Sequence, residues 1–176
     1  MKIIVNSGLN IKLNMYNSQY PIPESAKLIE EAKELIKENQ LDHQISLNAS
    51  YQCDEEIANK IAACDLMVFP YQKSDESSSA AVRTALGLSV PILVTPLEIF
   101  EEIQYLSFKI DGFSHQQIAD GIVKTLGNLY GELNQYKSFL DKLDEWKSKY
   151  SFTSVGYQLE GMIKAYYRDD KYNILR

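Results

Sequence analysis

The sequence predicts an α/β fold: a Rossmann-like, doubly wound parallel sheet flanked by helices, followed by a helical C-terminal segment. Three observations predict it. Short apolar runs of strand length alternate with amphipathic, helix-length stretches as far as residue 111, and such alternation gives parallel strands joined by right-handed crossovers. One run, Leu66-Met67-Val68-Phe69, is apolar on both faces, as expected of a strand covered by helices on both sides. After Asp111-Gly112 the strand signals stop and only the helical period remains. A single domain over residues 1–176 is expected, with an α/β core over about 1–111 and helices over about 114–169.

Lys2-Ile3-Ile4-Val5-Asn6 is an apolar run stopped by Ser7-Gly8 and reads as the first strand. Residues 9–23 show no clear period; Tyr16, Tyr20, Pro21 and Pro23 indicate an ordered loop leading into a helix, with Pro23 near its first turn. That helix is expected over 24–39, with Ala26, Ile29 and Ile36 toward the sheet and Glu30, Glu31, Glu34 and Lys37 toward water. Gln44-Ile45-Ser46-Leu47-Asn48 alternates as a second strand, and Asp54 then caps a short helix carrying Ile57 and Ile61. The 66–69 run is the third strand. A helix follows over 78–88, Pro91-Ile92-Leu93-Val94-Thr95 is the fourth strand, and Phe108-Lys109-Ile110 is a less marked fifth. Three helices close the chain, over 114–129, 132–150 and 152–167. Ser114 and Gln117 form a capping-box pair, Leu133, Tyr136, Leu140, Leu143 and Trp146 fall in register on the second, and Phe152, Val155, Leu159, Met162 and Tyr166 on the third.

Composition narrows the function classes. Of 176 residues, 45% are hydrophobic and 24% charged, the balance of a folded globular chain. Lys and Arg number 18 against 24 Asp and Glu, a net charge of −6, so duplex nucleic acid is not an expected partner. No apolar stretch approaches the roughly 20 residues of a membrane span, and no signal peptide follows Met1-Lys2. A soluble, cytoplasmic chain is expected, peripheral to a membrane only through a longer protein. The two cysteines, Cys53 and Cys64, fit a reducing compartment and supply neither a disulfide framework nor a zinc cluster.

Ligands of open parallel sheets bind beyond the carboxyl ends of the strands, which directs attention to the loops at 6–8, 48–50, 70–79 and 95–97. In the third of these, Asp75-Glu76-Ser77-Ser78-Ser79-Ala80-Ala81 sets two carboxylates before small residues that open a helix. Free N–H groups and the positive end of the helix dipole favour an anion there, and small side chains let a phosphate approach the backbone. Glu76 would repel that phosphate, so it reads as an acceptor for hydroxyls of a sugar beside it. Helix capping by Asp75 and the serines accounts for the same spacing. His43 and His115 lack the company of metal ligands or nucleophiles, Ser77 to Ser79 lack a G-x-S-x-G elbow, and Ser7-Gly8 is too short for a dinucleotide loop. Stacking of Tyr71 on a base or sugar is a further option.

Residues 65–95 resemble the donor-binding segment of the family-4 (group 1) glycosyltransferases, retaining enzymes of the two-Rossmann-domain (GT-B) architecture. Ala63-Cys64-Asp65-Leu66-Met67-Val68-Phe69-Pro70-Tyr71 is similar to the family's ADV-x-V-x-PS strand, Glu76 to the glutamate of the loop that follows, and Ser89-Val90-Pro91-Ile92-Leu93-Val94-Thr95 to its G-x-PV-x-x-T strand. Lys2 to Gly8 resembles the LLIVGxG strand, Asp54-Glu55-Glu56-Ile57 the DEEL helix, and Tyr150-Ser151-Phe152-Thr153-Ser154-Val155 the C-terminal YSWExVA helix.

The resemblance implies a donor-sugar contact at Glu76, backbone contacts to sugar or pyrophosphate around Ser77, Ser78 and Ser79, and approach of base and ribose at Gly8. The family's second glutamate, expected to hold the ribose hydroxyls, corresponds to Thr84, whose hydroxyl bonds without charge. Arg83 lies near the same helical face as Glu76 and either serves a phosphate or pairs with Asp75 or Glu76. The family's phosphate-binding Arg and Lys lie on a strand and loop before its LLIVGxG strand, and its other Rossmann domain has no counterpart here. The chain is therefore expected to be the donor-binding half of a hexosyltransferase-type enzyme of polysaccharide biosynthesis, inactive alone. It would take a UDP- or GDP-linked sugar without a metal and reach a glycan or lipid-linked acceptor through a missing N-terminal domain. The alternative is a non-catalytic interaction module of the same fold that has lost donor binding.

Overall fold

The computed structural model describes residues 1–6, 8–131 and 133–173. Ser7 of the predicted first turn, Glu132 at the predicted start of the middle C-terminal helix, and the side chain of Leu133 lie outside the described residues. The chain divides into two compact units, Met1–Gly131 and Glu132–Arg176.

In the first unit the order is α1 (Lys2–Asn6), β1 (Leu13–Tyr16), α2 (Pro23–Glu38), β2 (Ile45–Asn48), α3 (Asp54–Ala62), β3 (Met67–Phe69), α4 (Ala80–Gly87), β4 (Ile92–Val94), a 3-10 helix (Glu98–Leu106), β5 (Phe108–Lys109) and α5 (His115–Gly131). Every strand pairing among the described residues is parallel. β1 pairs with β2, Leu13 opposite Ile45 and Tyr16 opposite Asn48. In the second sheet β4 is central, pairing Met67 with Ile92 on one side and Leu93 with Phe108 on the other. The architecture is thus α/β with two small parallel sheets. Ile92, Leu93 and Val94 are all buried, so β4, not β3, is the strand covered on both faces; Met67 and Val68 are only half-buried.

The first predicted strand is corrected. Lys2–Asn6 is a helical turn and a half, with the Val5 amide donating to the Met1 carbonyl at 2.9 Å. Its single inward residue is Ile4, 1% exposed, and α1 packs against α5. A five-residue apolar run has no resolvable period, so burial of one face of a short helix and burial of a strand are indistinguishable in sequence. The Gly8 amide donates to the Val5 carbonyl at 3.0 Å, and its φ of +81° is the left-handed conformation that ends a helix at little cost for glycine. The true first strand, Leu13–Tyr16, lies in the stretch expected to be a loop. Its apolar Leu13 and Met15 alternate with Asn14, a signal only four residues long.

Most remaining elements form where expected, but Asp54 does not cap α3: Cys53 holds the N-cap position without a side-chain hydrogen bond, and Asp54 is the first residue inside the helix, where its charge suits the positive end of the dipole. Pro23 opens α2, where its missing N–H costs nothing. Ser114 and Gln117 form the capping box of α5: the Ser114 amide donates to Gln117 Oε1 at 3.1 Å and the Gln117 amide to Ser114 Oγ at 3.2 Å. A side chain at Gly112 would collide with Gln117, whose Nε2 reaches back to the Asp111 carbonyl at 2.9 Å. The 3-10 helix was not anticipated; it buries Ile99, Phe100, Ile103 and Leu106 beside β4 and β5 in sequence. The second unit consists of α6 (Leu133–Tyr150) and α7 (Phe152–Asn173). At their junction Ser151 Oγ accepts from the Ser154 amide at 3.1 Å, while Ser154 Oγ donates to the Ser148 carbonyl at 2.5 Å. No helix among the described residues is long and apolar enough to cross a membrane.

Candidate functional site

Parallel pairing sends the carboxyl ends of β3, β4 and β5 to one edge of their sheet, and the connections leaving that edge are tied together. Thr95, wholly buried just beyond β4, donates its hydroxyl to the Tyr71 carbonyl at 2.7 Å, and its amide donates to the Phe69 carbonyl at 3.4 Å. Gln72 Nε2 spans to the Phe113 carbonyl beyond β5 at 3.4 Å. Beneath them Phe69, Tyr71 and Phe100 pack with ring centroids 5.4 to 6.5 Å apart, within the range where aromatic pairs add to burial. Tyr71, the candidate for stacking on a ligand, thus uses its ring in this cluster.

From that anchored base the 73–79 segment rises to the start of α4. Lys73 and Asp75 form an ion pair at 3.7 Å, both more than four-fifths exposed. The Glu76 amide donates to Ser74 Oγ at 3.2 Å, and the Glu76 carboxylate has no partner among the described residues. Ser77 and Ser78 are exposed. Ser79 is buried and is the N-cap of α4, its Oγ accepting from the Val82 amide at 3.4 Å. The amides of Ala80 and Ala81 have no acceptor among the described residues, so the first turn of α4 keeps two donors for an incoming oxygen. Capping and free amide donors therefore coexist: one serine caps, two stand clear.

Further along α4 the side chains are engaged. Arg83 pairs with Glu102 of the 3-10 helix, Nη2 to Oε2 at 2.7 Å, rather than with Asp75 or Glu76. The two side chains are 37% and 57% exposed, and a pair that open to water contributes at most about 1 kcal/mol, so a phosphate can compete for the guanidinium. Thr84 donates its hydroxyl to the Ala80 carbonyl at 3.1 Å; its one proton is spent, and it remains an acceptor only. The crevice that Ser78, Ser79 and Arg83 form with Ile99, Phe100 and Glu102 encloses only about 10 Å³, against the few hundred that a bound small molecule fills. The 76–84 segment is consequently an open surface rather than a pocket.

Gly8 stands apart from these residues in the topology. It follows α1, not a strand, and α1 lines a groove of about 460 Å³ with Leu13 and Ile45, the first residues of β1 and β2. The exits of those strands are built from the 48–50 loop, one of the four the sequence points to, and from residues 17–19, which lie in the stretch read as a loop. The Asn17 amide donates to the Asn48 carbonyl at 3.0 Å, the Gln19 amide to the Ala49 carbonyl at 2.9 Å, and Asn48 Oδ1 accepts from Ser50 Oγ at 2.7 Å. Recognition of β1 from the Leu13 and Met15 alternation would have pointed to 17–20.

The two thiols are unpaired with each other. Cys64 Sγ donates to the Lys60 carbonyl at 3.2 Å, and burial, with the Asp65 charge, pushes its pKa above the ordinary thiol value. No three His, Cys, Asp or Glu side chains among the described residues come together as a metal site would require. Neither a protein-family model nor a curated protein matches the chain.

Proposed function

We propose that the chain binds the nucleotide-diphosphate sugar of a retaining glycosyltransferase, as the donor half of a longer or two-part enzyme. The observation that carries this reading is the start of α4 at the β3 exit: free amides at Ala80 and Ala81, exposed Ser77 and Ser78, and an unpartnered Glu76 carboxylate one loop away. It is also the segment whose residues resemble the family's donor loop. This reading takes the doubly wound form of the fold, in which a donor lies beyond the carboxyl ends of the parallel strands.

Each residue then has a defined task. The α4 amides hold the pyrophosphate and stabilise the charge that grows on it as the glycosidic bond breaks. Glu76 accepts hydrogen bonds from sugar hydroxyls and orients the anomeric carbon. Arg83 exchanges Glu102 for a phosphate oxygen, and Thr84 accepts from a ribose hydroxyl. The base is uracil or guanine, and no metal takes part. The open surface at 76–84 is one wall of a cleft whose other wall, with the glycan or lipid-linked acceptor, comes from a second domain.

Titration calorimetry with UDP, GDP and their sugar conjugates tests this. Saturable binding of one nucleotide sugar is expected, weakened at least about tenfold, or about 1.4 kcal/mol, by Glu76→Ala, with the free nucleotide affected less than the conjugate. Binding that ignores Glu76→Ala would refute the assignment of the sugar contact. Complete absence of binding at millimolar nucleotide would favour a second reading, a non-catalytic interaction module. The engaged side chains of Arg83 and Thr84 are the observation on its side.

A further inference from the structure

Within the second unit, α7 presents an apolar stripe that α6 leaves uncovered. Phe152, Val155, Leu159, Met162 and Tyr166 recur at alternating steps of three and four, and Ile163 widens the stripe. Their exposures run from 46% at Val155 to 99% at Phe152, whereas a surface helix ordinarily turns such a face inward. We propose that this stripe is a self-association surface, on which α7 of a second copy of the chain packs as a two-helix seam.

The spacing is the first reason for a second copy: a three-four repeat is the period that interlocking of two like helices requires, and an identical helix supplies the complementary ridge by construction. Charge is the second. With Phe152 taken as the first position of a heptad, the positions flanking the seam over residues 152–166, before Asp169 and Asp170 end it, are Gly156, Gln158, Ile163 and Ala165. None carries a charge that an identical copy would repel, and the two small ones let the backbones approach. The charges of residues 152–166, Glu160 and Lys164, neutralise each other in a 2.6 Å pair, so this stretch carries no net charge to set two copies apart. Area is the third. Burying most of six side chains on each of two copies removes roughly 1,000 Å² from water, the lower bound for a specific interface, and so gives a concentration-dependent dimer rather than an obligate one.

Sedimentation equilibrium of the full chain, from low to high micromolar, measures this directly. The expected mass rises with concentration toward twice 20.1 kDa. The double variant Leu159→Glu, Met162→Glu puts carboxylates into the seam and is expected to stay monomeric with its helical circular dichroism unchanged, since both positions are exposed in the single chain. Tyr157→Glu, at the heptad position facing away and 71% exposed, is expected to dimerise as the native chain does. A native chain that remains at 20.1 kDa throughout, a dimer that survives the double variant, or one that Tyr157→Glu breaks equally well would each overturn the proposal.

Discussion

Thr95→Val isolates the bond that anchors the candidate loop. Valine matches threonine in shape, so the substitution opens no cavity and removes only the hydroxyl that Tyr71 accepts from at 2.7 Å. Thr95 is wholly buried, and leaving a buried acceptor unmet costs about 1–3 kcal/mol. Tyr71 is half-buried, so water can reach its carbonyl in part, and the added methyl regains up to about 0.8 kcal/mol of apolar burial. The net expectation is a loss of about 1 kcal/mol, which for a chain of this size lowers Tm by roughly 2–4 °C. The loss should be local in origin, so amide exchange at residues 71–78 should accelerate more than exchange in α2. Thr95→Ser, which keeps the donor and deletes the methyl, should retain loop protection even if it loses comparable stability. The anchoring role is wrong if valine leaves both Tm and loop exchange at native values, or if serine loosens the loop as much as valine does.

Two further outcomes follow from the geometry. Ile4→Ala should cost about 2–4 kcal/mol because a side chain 1% exposed is truncated beside an existing groove; thermal unfolding would check it, and a change below about 0.5 kcal/mol would mean that α1 does not pack there. Cys64 should alkylate slowly at mildly alkaline pH, since a raised pKa leaves little thiolate at a given pH and the group is partly buried. Asp65→Asn removes one of the two causes and should shift the pH profile of Cys64 labelling toward lower pH, read by mass spectrometry of the modified peptide.

The elements that proved legible are those with a period to count or a cap to recognise. α2 announces itself by Pro23 and a sixteen-residue amphipathic run, and α5 by the Ser114 and Gln117 box. β4 announces itself by five apolar or small residues between turn signals. The misassigned start failed for the opposite reason: Lys2–Asn6 is more apolar than Leu13–Tyr16, yet what makes the latter a strand is its ladder to β2, formed across thirty-two residues of chain. Propensity cannot register a partner that distant. At the candidate site, the loop and the helix start were readable because capping and anion binding leave the same Ser-rich signature. The partner of Arg83 was not, because Glu102 lies nineteen residues away on a 3-10 helix that leaves no 3.6-residue period.

Those engaged partners also order the events by which a donor would be held. Glu76, Ser77, Ser78 and the Ala80 and Ala81 amides require no rearrangement to meet a ligand, so on the proposed reading first contact would fall on the sugar and the pyrophosphate at the start of α4. Arg83 can join by turning from Glu102, an exchange between two half-exposed charges that costs at most about 1 kcal/mol and returns a charge-assisted bond to phosphate. Thr84 cannot donate without breaking its bond to the Ala80 carbonyl, and the helix gains nothing when that acceptor is freed. Affinity on this surface would therefore rest on the pyrophosphate and sugar, with the ribose contributing least. That ordering predicts that a sugar diphosphate lacking the nucleoside retains a larger share of the binding free energy than the nucleoside monophosphate does.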